Sequence, residues 1–227
     1  LPVQGLSVEG ALSWGEYIYT STPRMTQTVD NSAEVVHDNA PVPYWASHPI
    51  YKKYTDDFGV VTYETDLEGN YIVEKNQKHY VPSTPQLAAD LGLNYRTNSY
   101  WFFEIDAQYF AKSYLDMNPG YRTDLAVNGP DSKATPVEVE YMAAQEEFKP
   151  VFLLNASIGK SWYIDRKYNF GFSLNLQNIT NNKWVKTGGY EQTRLIDSES
   201  AERFYRFDSK YFYMQGFNYM LNLYFRF

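Results

Sequence analysis

Residues 217–227 constrain the fold more than any other stretch. Phe217, Tyr219, Leu221, Leu223, Phe225 and Phe227 share one parity, and Asn218, Met220, Asn222, Tyr224 and Arg226 share the other. The first set is wholly apolar or aromatic and the second is mostly polar. In a β-strand, alternate side chains point to opposite faces. The stretch is therefore a strand with one greasy side and one wet side.

The same two-residue period recurs along the chain. Phe170, Phe172, Leu174 and Leu176 alternate with Asn169, Gly171, Ser173, Asn175 and Gln177. Phe152, Leu154, Ala156 and Ile158 alternate with Leu153, Asn155, Ser157 and Gly159. Phe103, Ile105, Ala107 and Tyr109 alternate with Glu104, Asp106 and Gln108. Leu87, Ala89, Leu91, Leu93 and Tyr95 alternate with Asp90, Gly92, Asn94 and Arg96. Leu6, Val8, Leu12 and Trp14 alternate with Ser7, Glu9 and Ser13. Six long strands follow, near 6–19, 86–96, 100–114, 150–163, 168–180 and 212–227. Each approaches the roughly 9–11 residues that cross a bilayer as a tilted strand.

The connections alternate in length. Short turns fall at Thr97-Asn98-Ser99 and Asp165-Arg166-Lys167, and long stretches near 20–83, 116–148 and 181–211. Membrane barrels of the outer-membrane type have short periplasmic turns and long extracellular loops. That rhythm sends the first strand outward and brings the last back to the periplasm. The expectation is an all-β, transmembrane antiparallel β-barrel wall spanning 1–227. Asp90, Arg96, Glu104 and Asp106 then face the lumen. Lys160, alone on the apolar parity, snorkels at the periplasmic end. Trp14, Tyr17, Tyr95, Trp101, Trp162, Tyr168 and Trp184 lie near strand ends, where aromatic girdles sit.

Composition fits this reading and closes others. Of 227 residues, 18% are aromatic, with 22 Tyr, yet mean hydropathy is −0.52. Alternation averages a barrel's hydropathy away. The formal charge of −7 gives no footprint for a phosphate backbone, so nucleic acid is not an expected partner. Cys is absent, which removes disulfides, Cys-ligated zinc and thiol nucleophiles. A soluble carbohydrate-binding β-sandwich also shows Tyr-rich alternating strands and stays as an alternative, as does a small complete barrel acting as adhesin or protease.

Six strands do not close a membrane barrel, for which about eight is the minimum. An open sheet edge in lipid leaves unsatisfied backbone groups. The best hidden pair lies at Val60–Lys75 around a turn at Asp66-Leu67-Glu68-Gly69-Asn70. Glu64, Asp66, Glu74 and Lys75 crowd its short arms, which places it above the membrane. The expectation is therefore part of a larger barrel.

At Phe148–Phe227 the residues resemble the end of a TonB-dependent outer-membrane receptor of the Bacteroidota type. The pieces are Leu154-Asn155-Ala156-Ser157-Ile158-Gly159-Lys160-Ser161-Trp162, Asn178-Ile179-Thr180-Asn181-Asn182, Gly188-Gly189-Tyr190-Glu191-Gln192 and Tyr219–Phe227. Thr84-Pro85-Gln86 is similar to a motif preceding one of the family's late strands. The resemblance implies the last six strands of a barrel of about 22, active import of a nutrient, and a plug domain and TonB box outside this stretch. It implies outer-membrane lipids, the plug, TonB and a SusD-like surface lipoprotein as partners. It also makes Tyr219, Leu221, Leu223, Phe225 and Phe227 a signal for the barrel-assembly machinery.

Catalytic and metal signals are poor, and no enzyme, cofactor or metal site is expected. His37, His48 and His79 match no zinc spacing and read as solvated loop histidines. Glu104 and Asp106 share a strand face, a pairing that suits a polar wall as well as acid–base work. Asn155-Ala156-Ser157 and Asn178-Ile179-Thr180 match a glycosylation sequon without consequence in a bacterial outer membrane. Residues 40–54 carry Pro41, Pro43, Tyr44, Trp45, Pro49, Tyr51 and Tyr54. Tyr44, Trp45, Tyr51 and Tyr54 either contact a glycan or partner, or fold on themselves. Asp116, Asp124, Asp131, Glu138, Glu140, Glu146 and Glu147 read as a solvated acidic face, with cation capture as the alternative. An aromatic, acidic exterior favours oligosaccharide or peptide over anionic cargo.

Overall fold

The computed structural model describes residues 4–28, 32–82, 84–129, 134–165, 167–192 and 206–227. Asp131, Arg166 and the side chain of His37 lie outside the described part. In chain order the strands are β1 (Leu6–Trp14), β2 (Arg24–Thr28), β3 (Val35–Pro41), β4 (Ser47–Tyr51), β5 (Lys53–Thr55), β6 (Val61–Tyr63) and β7 (Val73–Lys78). They continue as β8 (Leu87–Arg96), β9 (Trp101–Ala111), β10 (Val151–Ile164), β11 (Tyr168–Gln177), β12 (Lys186–Tyr190), β13 (Lys210–Tyr213) and β14 (Asn218–Arg226). Among the described residues, a 3-10 turn at Pro119–Arg122 and two short α-helices, α1 (Asp124–Asn128) and α2 (Pro136–Ala143), interrupt otherwise β structure in antiparallel sheets. No described helix is long and apolar enough to cross a membrane.

The six strands read from periodicity form one sheet, in the order β1-β8-β9-β10-β11-β14. Its register aligns every apolar set. Val8 pairs with Leu93, Leu93 with Ile105, Ile105 with Ala156, Ala156 with Leu176 and Leu176 with Tyr219. A slip of one residue in any ladder would break this alignment. The opposite face collects Glu9, Asp90, Asn94, Glu104, Asp106, Asn155, Ser157, Asn175 and Asn222.

On the inner strands β8 and β9 the apolar residues are more exposed than the polar ones, while β1 and β14 are exposed on both faces. On β9, Phe103 and Ile105 are exposed, while Glu104, Asp106 and Gln108 between them are partly covered. On β8, Leu91 and Leu93 are exposed and Asp90 and Asn94 are not. Two glycines help the polar face close up. A Cβ at Gly159 would overlap the Phe102 ring, and one at Gly171 would overlap the Tyr224 ring.

Strand ends differ from the sequence expectation by a few residues, and the backbone gives the reason. β9 stops at Ala111 because Lys112 takes a positive φ of 56°, and β11 stops at Gln177 because Asn178 does the same at 49°. β1 ends at Trp14, five residues early. β14 begins only at Asn218, because residues 210–213 pair with β12 in a separate hairpin.

At the short-turn end, aromatic rings touch from strand to strand. Tyr95 meets Phe103, Trp101 meets Phe103 and Phe172, Trp162 meets Phe170 and Phe172, and Tyr168 meets Phe225. Lys160 sits within this belt. Its Nζ lies 5.1 Å from the Trp101 ring and 5.6 Å from the Trp162 ring, and donates to the Ser99 carbonyl at 2.6 Å. The lone cation on the apolar parity is thus solvated by two indoles and a turn carbonyl.

The hairpin expected at Val60–Lys75 is reorganised. Its turn forms, closed by the Thr65–Tyr71 bridge, but its arms pair elsewhere. β6 pairs with β5, and β7 pairs with β4. β7 gains a five-pair ladder with β4, while β6 pairs with β5 over three residues.

Candidate functional site

The three long connections converge into one body at the end of the sheet opposite the aromatic belt. Its apolar centre is Tyr121, Val127, Val139, Met142 and Ala143, with Tyr44 and Tyr51 packed against it. Thr123 caps α1, and Thr135 with Glu138 forms a capping box on α2. These caps satisfy first-turn amides that short helices otherwise leave bare.

Glu191 is the ionic hub of this body. It is buried, and so is Arg122. The two carboxylate oxygens of Glu191 receive Arg122 in a bidentate pair, with Nη2 at 2.8 Å, and Oε1 also receives Arg206. The Asn118 amide donates to the same carboxylate at 2.8 Å. Arg122 Nη2 donates to the Ala144 carbonyl at 2.7 Å and Arg206 Nη1 to the Tyr141 carbonyl at 2.8 Å. One carboxylate from the third connection therefore holds the second connection around it. Burial, with the Arg206 charge beside it, pulls the Arg122 guanidinium below its usual range, and Glu191 opposes that pull.

The first connection is fastened to itself by two histidines. His48 and His79 are buried, with His48 Nδ1 and His79 Nε2 2.7 Å apart. His79 Nδ1 lies 2.9 Å from the Trp45 carbonyl. A carbonyl only accepts, so His79 carries its proton on Nδ1, accepts at Nε2, and His48 Nδ1 donates. Desolvation lowers both groups to about 4. The expectation of solvated loop histidines is overturned for these two, because the polypeptide closes over them. Gln145 ties this connection to the second. It donates to the Tyr80 and Leu115 carbonyls at 2.8 and 3.0 Å and accepts from the Tyr80 amide at 2.7 Å.

The aromatic candidates separate in this setting. Tyr44 accepts from Asn128 at 2.8 Å, Trp45 tilts against Tyr19 at 4.9 Å, and Tyr51 sits edge-on to Tyr71 at 6.1 Å. All three are half-buried packing residues, and Tyr54 stands free at 55% exposed. The acidic residues also find internal work. Glu140 accepts from the Tyr51 amide and from Lys53, and Glu146 accepts from Lys186 and Tyr211 at 2.7 Å each. Among the described residues, no group of three His, Asp or Glu is placed to hold a metal ion.

The other quoted motifs have structural roles as well. Asn178 accepts from Thr180 and the Asn182 amide and donates to the Asn182 and Gln215 carbonyls. Gln86 accepts from the Tyr17 amide at 2.6 Å, holding the end of β1 beside β8.

Below the loop body, the polar face carries a recess of about 490 Å³. Six carboxamide residues line it, Gln108, Asn155, Gln177, Asn178, Gln215 and Asn218, with Leu153 and Met214 as its apolar floor. No charged side chain lines it. Asp90, Glu104 and Asp106 lie further along the same face, and Arg96 lies at its short-turn end. Tyr219, Leu221, Leu223, Phe225 and Phe227 are all exposed on or beside the apolar face of β14. Neither the converging loops nor the buried His pair was anticipated. The signal that could have found them is weak: polar residues next to aromatics in loops too long to stay unfolded.

No family model matches the chain, and no curated protein matches it.

Proposed function

We propose that the chain forms barrel wall and extracellular loops of an active outer-membrane importer of the TonB-dependent type. The observation that carries this reading is the inverted exposure of β8 and β9 within the six-stranded sheet. The apolar face is continuous through the register, its residues on β8 and β9 are more exposed than the polar ones behind them, and a belt of ring contacts crosses one end. In water such a face is a large unburied patch; in lipid it is the required surface. A soluble sandwich asks for a second sheet over that face, and no described element packs broadly there. β1 and β14 are unpaired on their outer sides, and edges in lipid need further strands.

In this reading the loop body faces the exterior and the carboxamide recess opens on the lumen. The wall does no chemistry: it offers neutral hydrogen-bonding groups to a passing solute, while coupling to energy belongs to a plug and TonB. Membrane fractionation of cells making the full-length protein tests it. The expected result is a protein in the outer-membrane fraction that needs detergent for extraction. A monodisperse β protein in detergent-free buffer would reject it.

A further inference from the structure

The first long connection holds a feature that neither wall nor loop packing uses. Two turns of one design occur ten residues apart, Asp56-Asp57-Phe58-Gly59-Val60 and Asp66-Leu67-Glu68-Gly69-Asn70. In the first, Asp56 Oδ1 accepts from the Phe58 and Val60 amides at 2.9 Å each. In the second, Asp66 Oδ1 accepts from the Glu68 and Asn70 amides at 2.9 and 2.8 Å. Each turn closes with a backbone bond from glycine to its aspartate, and Gly59 and Gly69 take φ of 81° and 86°. L-residues other than Asn and Asp rarely adopt that conformation.

Each rigid turn presents a large apolar side chain to solvent. Phe58 is 93% exposed and Leu67 fully so. Val60, Val61 and Tyr54 are exposed beside them. Scattered apolar residues on a surface are ordinary. Two on successive turns, each locked by an aspartate, are held ready at little further entropic cost, as binding anchors are. The base is firm too. Lys53 bonds Glu140 of α2 at 3.2 Å, and Tyr71 packs edge-on against Tyr51 and Tyr63.

Charge selects the occupant. Residues 53–72 contain Asp56, Asp57, Glu64, Asp66 and Glu68 against one cation, Lys53, which Glu140 already engages. An anionic lipid surface repels such a finger, and so does a second copy of a chain whose net charge is −7. A cationic rim attracts it.

We propose that residues 53–72 form a docking finger for a partner protein bearing an apolar groove rimmed by Lys or Arg, with Phe58 and Leu67 as its anchors. The proposal does not depend on the import reading, since a chain in any compartment would present the same finger. Its test places the photo-crosslinking residue p-benzoylphenylalanine at position 58, and separately at 67, in the full-length protein in living cells. Adducts are then mapped by mass spectrometry. Both positions are expected to join the same partner, within an apolar segment flanked by Lys or Arg. Phe58→Ser with Leu67→Ser leaves Asp56 and Asp66 in place, so the turns persist. With the partner so identified, this pair is expected to raise Kd at least about tenfold, and Asp57→Lys to raise it less. Adducts to lipid alone, to a second copy, or to nothing overturn the proposal. So does an unchanged Kd in the doubly substituted protein.

Discussion

At the residue scale, the buried histidines make the clearest prediction. Both are lowered from 6.5 to about 4, so the folded body holds them neutral while the unfolded chain protonates them sooner. Between those values the unfolded chain binds more protons, and stability therefore rises with pH. Their contribution is complete above about pH 6.5 and is lost as pH falls toward about 4. Thermal melting followed by tryptophan fluorescence should show the midpoint falling across that window. His48→Gln keeps a side-chain donor and removes one titrating ring, so it should flatten the fall. A midpoint independent of pH between 7 and 4.5 would contradict the assigned proton positions.

At the element scale, the register assigns each strand residue to a face, and the faces differ in tolerance. Ile105 lies mid-strand on β9, opposite Leu93 and Ala156 on the apolar side. Ser157 lies on β10, opposite Glu104 and Asn175 on the polar side. A lysine at a lipid-facing midplane costs about 2–4 kcal/mol. Ile105→Lys should lower stability in micelles by that order, read from urea unfolding of the full-length protein. Ser157→Lys gains the Glu104 carboxylate as a neighbour and should cost less. Equal losses would remove the distinction between lipid and lumen. The division into an apolar and a polar face was legible in the sequence, because a period of two survives whatever the strand pairs with. The ends of the strands were less so. Lys112 and Asn178 end β9 and β11 by positive φ; an Asn is compatible with that conformation but does not require it, and a Lys gives no sign of it.

At the scale of the whole molecule, three connections that looked independent behave as one body. Glu191 from the third is buried against Arg122 from the second, and the His48–His79 pair from the first lies close enough to feel the Arg122 charge. Removing one partner of a buried pair costs about 3–5 kcal/mol, because the other charge is left uncompensated. Glu191→Ala should therefore loosen all three connections together. Limited proteolysis of the full-length protein checks this: new cleavage sites should appear in residues 44–80 as well as 112–150, while the sheet stays protected. Cleavage confined to residues 186–192 would show that the connections fold separately. Glu191 was visible in the sequence within a quoted motif. Its role was not, since a carboxylate in a polar loop looks the same whether it meets water or two guanidinium groups.

The sequence by itself determined the six strands, their two faces and the alternation of short and long connections. These follow from side-chain parity, a local property that needs no knowledge of neighbours. Tertiary structure alone decided which loop residues are buried. Tyr44, Trp45 and Tyr51 became packing, Tyr54 and Phe58 stayed free, and His48 and His79 went under cover. Burial in a loop depends on contacts between residues far apart in the chain, and no local period encodes those.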